Sequence, residues 1–149
     1  MFTQSHRPLG VIILLLSTVL ITSTVTAEQK KTFKQYDIHY VATSTAMLTP
    51  AIAKAYDIQR SKSKGLVTIA IRNTETESAS EGLVRGSVKN AISQMQALSF
   101  TKVNDQDAIY YLAVFNYADQ ENLDFDILVS PMGVQDTFVV QFKQQFFID

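Results

Sequence analysis

The stretch FVVQFKQQFFI, residues 138–148, constrains this chain more than any other. Phe138, Val140, Phe142, Phe146 and Ile148 share one parity, interrupted only by Gln144, while Gln141, Lys143 and Gln145 share the other. Successive side chains of a strand point to opposite faces, so this period of two buries one face and wets the other. Aromatic and β-branched residues suit such a half-buried pleated surface.

The same period recurs upstream. QYDIHYVA sets Tyr36, Ile38, Tyr40 and Ala42 against Asp37, His39 and Val41, and GLVTIAIR sets Val67, Ile69 and Ile71 against Leu66, Thr68 and Ala70. AIYYLAVFNY is apolar on both faces, as a central strand is, and LDFDILV alternates Leu123, Phe125, Ile127 and Val129 with Asp124, Asp126 and Leu128. EGLVRGSVKNAISQMQALSF carries both periods: Val84, Val88, Ile92 and Met95 fit a helix, but Gly86 and the β-branched valines oppose one. A strand from Leu83 to about Ala91 is expected, with a further short strand in ALSFTKV. TPAIAKAYD provides one short helix, with Thr49 as N-cap and Pro50 at its first position. SKSKG, TETESASEG, VNDQD, ADQEN and SPMGVQD supply the turns. The expected fold is all-β, an antiparallel immunoglobulin-like β-sandwich of about seven strands with one short helix, and a small closed barrel is the alternative.

The chain of 149 residues opens differently from the way it continues. MFTQSHR, an uncharged apolar block from Leu9 to Ile21, and the small residues Val25-Thr26-Ala27 follow the order of a cleavable secretory signal. The block is shorter than the about 20 residues a bilayer core takes. Residues 1–27 are therefore expected to be a signal peptide, 28–149 a single periplasmic sandwich domain, and no membrane span remains after cleavage. Of 13 basic residues only Arg7 lies in the leader, so the domain is slightly acidic, which argues against nucleic acid as a partner. With no cysteine, thiol catalysis and thiolate metal sites are absent, and an exported domain of this length needs no disulfide.

Reactive groupings are sparse. His39 is the one histidine after the leader, so a metal site built on imidazoles lacks its ligands. Asp37 and His39 with a hydroxyl give a hydrolase alternative, without a G-x-S-x-G elbow to support it. Asp124 and Asp126 read as the wet face of a strand, and GLVRG has no phosphate-loop context. No cofactor or metal is expected. Tyr36, Tyr40, Tyr110, Tyr111, Tyr117 and Phe115 form either a stabilising aromatic ladder or an exposed face for a partner.

The strongest chemical cluster is IQRSKSKGLV. If extended, it carries Arg60, Lys62 and Lys64 on one face, and Lys54 adds a fourth cation from the helix. Such a strip either keeps a sheet edge from pairing or recognises an anion, with arginine offering planar two-point contacts and lysines point charges.

FKQYDIHY, LTPAIAKAYDIQRSKSKGLV, DAIYYLAVF, LDFDILVSP and the terminal FKQQFFID together resemble a family of small exported proteins of Gram-negative bacteria, catalogued as a domain of unknown function. The resemblance spans the mature chain. It implies a signal peptide, a periplasmic location and a β-rich domain, and it brings no catalytic residues. The expected function is that of a non-enzymatic periplasmic binding or interaction module, with an envelope protein or an anionic ligand as partner. A small-ligand carrier, with a cavity between sheets or in a barrel, is the alternative.

Overall fold

The structure is a computed structural model and describes residues 29–148, so the expected signal peptide lies outside the described residues. Two antiparallel sheets form. The first joins β1 (Gln29–Phe33), β2 (Tyr36–Ser44), β3 (Lys64–Asn73), β8 (Ala108–Asn116) and β7 (Thr101–Asp105) in the order β1-β2-β3-β8-β7, with the two-residue β4 (Ser78–Ala79) also paired to β3. The second runs β10 (Phe138–Phe146), β9 (Glu121–Pro131), β5 (Gly82–Asn90) and β6 (Met95–Leu98). The orders β2-β3-β8-β7 and β10-β9-β5-β6 are those of an immunoglobulin-type sandwich with one extra strand on the second sheet. The closed-barrel alternative does not hold: two separate sheets face each other.

Ten strands form among the described residues where about seven were expected. QKKTF in β1 has no apolar alternation to announce it; its register on β2 comes from tertiary pairing. ALSFTKV is not one strand. It holds the end of β6 and the start of β7, which belong to opposite sheets, so the chain crosses the sandwich at Ser99 and Phe100. The ambiguous segment is strand β5, and α1 (Pro50–Ala55) takes its expected cap, the Ile52 N–H donating to Thr49 Oγ1 at 3.2 Å.

The inner faces interlock through rings. Phe125 and Phe142 stack with centroids 4.5 Å apart, and Phe115 meets Phe125 and Phe146 edge-on at 5.1 and 5.2 Å. Ile38, Val67, Ile69, Ile127, Val129 and Val140 complete a fully buried aliphatic layer. The tyrosines expected as a ladder or an exposed face fall mainly inside: Tyr36, Tyr40, Tyr111 and Tyr117 are buried in this core, and only Tyr110 is partly open.

Gln144, the polar interruption on the apolar parity of β10, faces inward because it has work there. Its Nε2 donates to the Ala42 carbonyl at 2.9 Å, tying the second sheet to the first. On the opposite flank Gln96 of β6 makes the same kind of clasp to β8. Its Nε2 donates to the Asn116 carbonyl at 2.8 Å, and its Oε1 accepts from the Asn116 N–H at 2.9 Å. Each amide replaces a missing strand neighbour for backbone groups that would otherwise lose their partners.

Gly65 pairs directly with Phe115 across β3 and β8, and the Phe115 ring occupies the place where a β-carbon would stand. Gly65→Ala should therefore displace the ring and cost about 1–3 kcal/mol in urea unfolding. An unchanged midpoint would show that the ring does not need this site. Gln144→Ala should cost about 1–2 kcal/mol by leaving the Ala42 carbonyl unpaired. Wild-type stability in that variant would remove the clasp from the account.

Candidate binding surfaces

The cations predicted from sequence lie on the connection between β2 and β3, which is not a tight hairpin. It passes through a 3-10 turn (Thr45–Met47) and α1 before returning. Thr45 is fully buried and fastens the return: its hydroxyl accepts from the Ser61 N–H at 2.9 Å and donates to the Ser61 carbonyl at 3.1 Å. Arg60 adds a bond from Nη2 to the Ala46 carbonyl at 3.0 Å. The expected continuous extended strip does not form, because residues 62–63 make a turn. That turn is fixed by the Tyr117 N–H donating to the Ser63 carbonyl at 3.0 Å and by contact between the Ser61 and Ser63 hydroxyls at 3.1 Å.

The turn sends the cations to different surfaces. Arg60 faces the 3-10 turn. Lys62 lines a groove at the end of the sandwich, together with Met47, Tyr117 and Phe147. Lys64 opens β3 on the same parity as Leu66, on the outer face of the first sheet, and donates to Gln59 Oε1 at 2.6 Å. Lys54 stands exposed in the last turn of α1.

Beside α1 the outer face of the first sheet holds an apolar groove of about 180 Å³ lined by Leu48, Ile52, Tyr56, Val103 and Leu112 among others. A second hollow of about 260 Å³ shares Tyr56, Ile58, Leu66, Val103 and Leu112 with it and continues to Val114. Ile52 and Val114 remain 45% and 41% exposed at its margins. This surface was not singled out in the sequence, because α1 covers Leu66 and Leu112 only through the long connection.

The hydrolase alternative meets different surroundings. Asp37 accepts hydrogen bonds from Lys30 Nζ at 2.7 Å and from the Thr32 hydroxyl at 2.5 Å, so β1 already engages its carboxylate. His39 lies on the outer face, in a cleft with Arg72, Glu77, Asp107 and Tyr110 that has no serine or threonine in its lining. Among the described residues no three His, Cys, Asp or Glu side chains gather as a metal site. No helix among them is long and apolar enough to cross a membrane.

The strand order and the surface grooves define a class: an immunoglobulin-type β-sandwich whose accessible features are surface hollows and a cationic connection. The chain belongs to the DUF4426 family, described as a domain of unknown function, whose pattern matches residues 30–149. It is similar to the crystal structure of a DUF4426 family protein from Pseudomonas aeruginosa, at 30% identity and a TM-score of 0.73, covering 82% of this chain and 96% of that one. It shares its fold with FetP of a uropathogenic Escherichia coli strain, a protein recombinantly expressed in the periplasm of E. coli, at 12% identity and a TM-score of 0.57, covering 81% of this chain and 94% of that one. A copper-bound variant of that FetP aligns at 13% identity and a TM-score of 0.54, over 80% of this chain and 90% of its own. No curated protein matches the chain.

The hydrogen bond from Lys30, then that from Thr32, holds the Asp37 carboxyl below the usual carboxylate range. A lowered folded pKa gives stability that is full above the unfolded pKa and is lost as pH falls through the folded value. The melting temperatures of wild type and Asp37→Asn should differ at neutral pH and converge as the pH falls below the carboxyl's ordinary value of 3.8. A gap that stays constant from neutral to acid would show that the Lys30–Asp37 pair adds nothing to stability.

Proposed function

We propose that this chain is a non-enzymatic binding module of the periplasm, exported by residues 1–27, that takes an acidic, apolar-tipped segment of another envelope protein beside α1. The observation that carries this reading is the groove on the outer face of the first sheet, whose lining is almost wholly apolar. Lys54, on the helix that walls this groove, and Lys64, two residues before Leu66 on β3, stand outside its lining, and the adjoining hollow carries Asp57. An apolar floor with a polar margin is the anatomy of a protein contact surface. The cations select a partner carrying carboxylates and speed its encounter.

The packing supports binding at the surface over a carrier with its ligand between the sheets. Phe115, Phe125, Phe142 and Phe146 fill that space at ring-contact distances. The export step rests on the leader's order of regions. Against catalysis by His39 stand the engaged Asp37 carboxylate and a cleft without an alcohol nucleophile.

Photo-crosslinking residues placed at Ile52 and Val114, with a control at Leu83 on the other sheet, test this in intact cells. One adduct of defined mass should form at the first two positions, be absent at Leu83, and fall at least several-fold in the pair Lys54→Glu and Lys64→Glu. Equal labelling at Leu83, or adducts indifferent to the charge reversal, would overturn the proposal.

A further inference from the structure

A hollow of about 340 Å³ opens on the outer face of the second sheet and shares no lining residue with the hollows beside α1. Strand pairing builds it from two neighbouring rows. Met95, Lys89, Asp124 and Lys143 stand in register across β6, β5, β9 and β10, and Ser87, Asp126 and Gln141 form the next row. Alternation along each strand sends both rows outward. Asp124 lies between two lysines and takes Lys143, whose Nζ approaches its Oδ1 at 3.1 Å. Lys89, only partly exposed, is left with no hydrogen bond or ion pair among the described residues. Asp126 is under-used as well. Among the described residues its side chain accepts only from Gln141 Nε2, at 3.3 Å, where a carboxylate can accept about four bonds.

These two groups sit diagonally. Asp126 is two positions beyond Asp124, the strand partner of Lys89, which sets their strand positions about 7–8 Å apart. They do not pair with each other. The lining holds two lysines and two aspartates, so its charges cancel. A simple anion would meet two carboxylates there and a simple cation two ammonium groups, whereas a ligand carrying both signs satisfies both poles. Met95, 67% exposed and in register with Lys89, adds an apolar wall. We infer that this hollow binds a zwitterion, a free α-amino acid with an apolar side chain. Its carboxylate pairs with Lys89 and accepts from the Ser87 hydroxyl, its ammonium pairs with Asp126, and its side chain rests on Met95.

L-Leucine, N-acetyl-L-leucine and L-leucinamide share one side chain and carry both charges, the negative alone and the positive alone. Backbone amide NMR of the isotope-labelled protein should show saturable L-leucine shifts centred on Ser87, Lys89, Met95 and Asp126. The two derivatives should bind at least several-fold more weakly. Lys89→Gln and Asp126→Asn should each weaken L-leucine about threefold to fivefold. Arg85, exposed on the same face but outside the lining, serves as the control, and Arg85→Gln should leave the affinity unchanged. Equal binding of N-acetyl-L-leucine would make the hollow an anion site, and equal binding of L-leucinamide a cation site; either result overturns the inference. So would the absence of saturable shifts at tens of millimolar L-leucine, unchanged affinity in Lys89→Gln or Asp126→Asn, or an equal loss in Arg85→Gln. None of these substitutions touches Ile52, Lys54, Lys64 or Val114, so this result and that of the crosslinking experiment are independent.

Discussion

The layer of rings between the sheets governs the rest of the molecule. Phe115 of the first sheet stands edge-on to Phe125 and Phe146 of the second, and Phe125 lies flat on Phe142. Edge-to-face and offset contacts of this kind fix orientation as well as separation, which aliphatic packing alone does loosely. Gly65 is part of the same arrangement, because only a residue without a β-carbon lets Phe115 lie against β3. Among the described residues this layer fills the space between the sheets with rings at contact distance. Gln144 and Gln96 then close the two flanks by pairing backbone groups that neither sheet can satisfy from within.

The connection from β2 to β3 is the main departure from regular sandwich structure, and it is also where the candidate surfaces arise. A buried Thr45 hydroxyl bonded to both the N–H and the carbonyl of Ser61 gives this excursion a fixed base. Fastening an irregular segment to a rigid scaffold is the general arrangement by which loops present binding groups with defined geometry. Here the result is two surfaces rather than one. Lys62 and Lys64 are two residues apart, yet the turn at 62–63 places the first at the end of the sandwich and the second on its outer face.

Much of the fold was legible because burial writes itself into parity. In β9 and β10 the inward residues are mainly apolar, Gln144 excepted, and the outward ones mainly polar, Leu128 and Val139 excepted, so register follows from sequence. The helix was legible from Thr49 and Pro50 because capping is local chemistry. β1 was not legible, since an edge strand built from Gln29, Lys30, Lys31 and Thr32 owes its existence to pairing with β2 and to the bond from Lys31 to the Gln141 carbonyl. The crossing at Ser99 and Phe100 was hidden because both halves of ALSFTKV are extended, and parity does not report a change of sheet. The cationic strip was legible as a cluster but not as a direction: its alternation suggests one face, and a tertiary bond from Tyr117 to Ser63 breaks it. Nothing in the sequence separates Tyr117 from Tyr111, because the difference between a paired and an unpaired hydroxyl lies wholly in what the fold brings near.

That last difference bears on how a domain without reactive groupings comes to have a function. Immunoglobulin-type sandwiches host many activities, so fold alone assigns none of them. What distinguishes one such domain from another is where it accepts a local cost. Among the described residues the buried polar side chains are otherwise satisfied: Asp37 is bonded to Lys30 and Thr32, Thr45 to Ser61, and Tyr111 to Gly82. Phenylalanine in place of Tyr117 would keep the ring contacts and remove the unmet oxygen, so the core gains nothing from the hydroxyl. Tyr117 is the exception among the described residues, a hydroxyl that the fold buries without a hydrogen-bond partner, and the cost falls at the end of the sandwich rather than between its sheets.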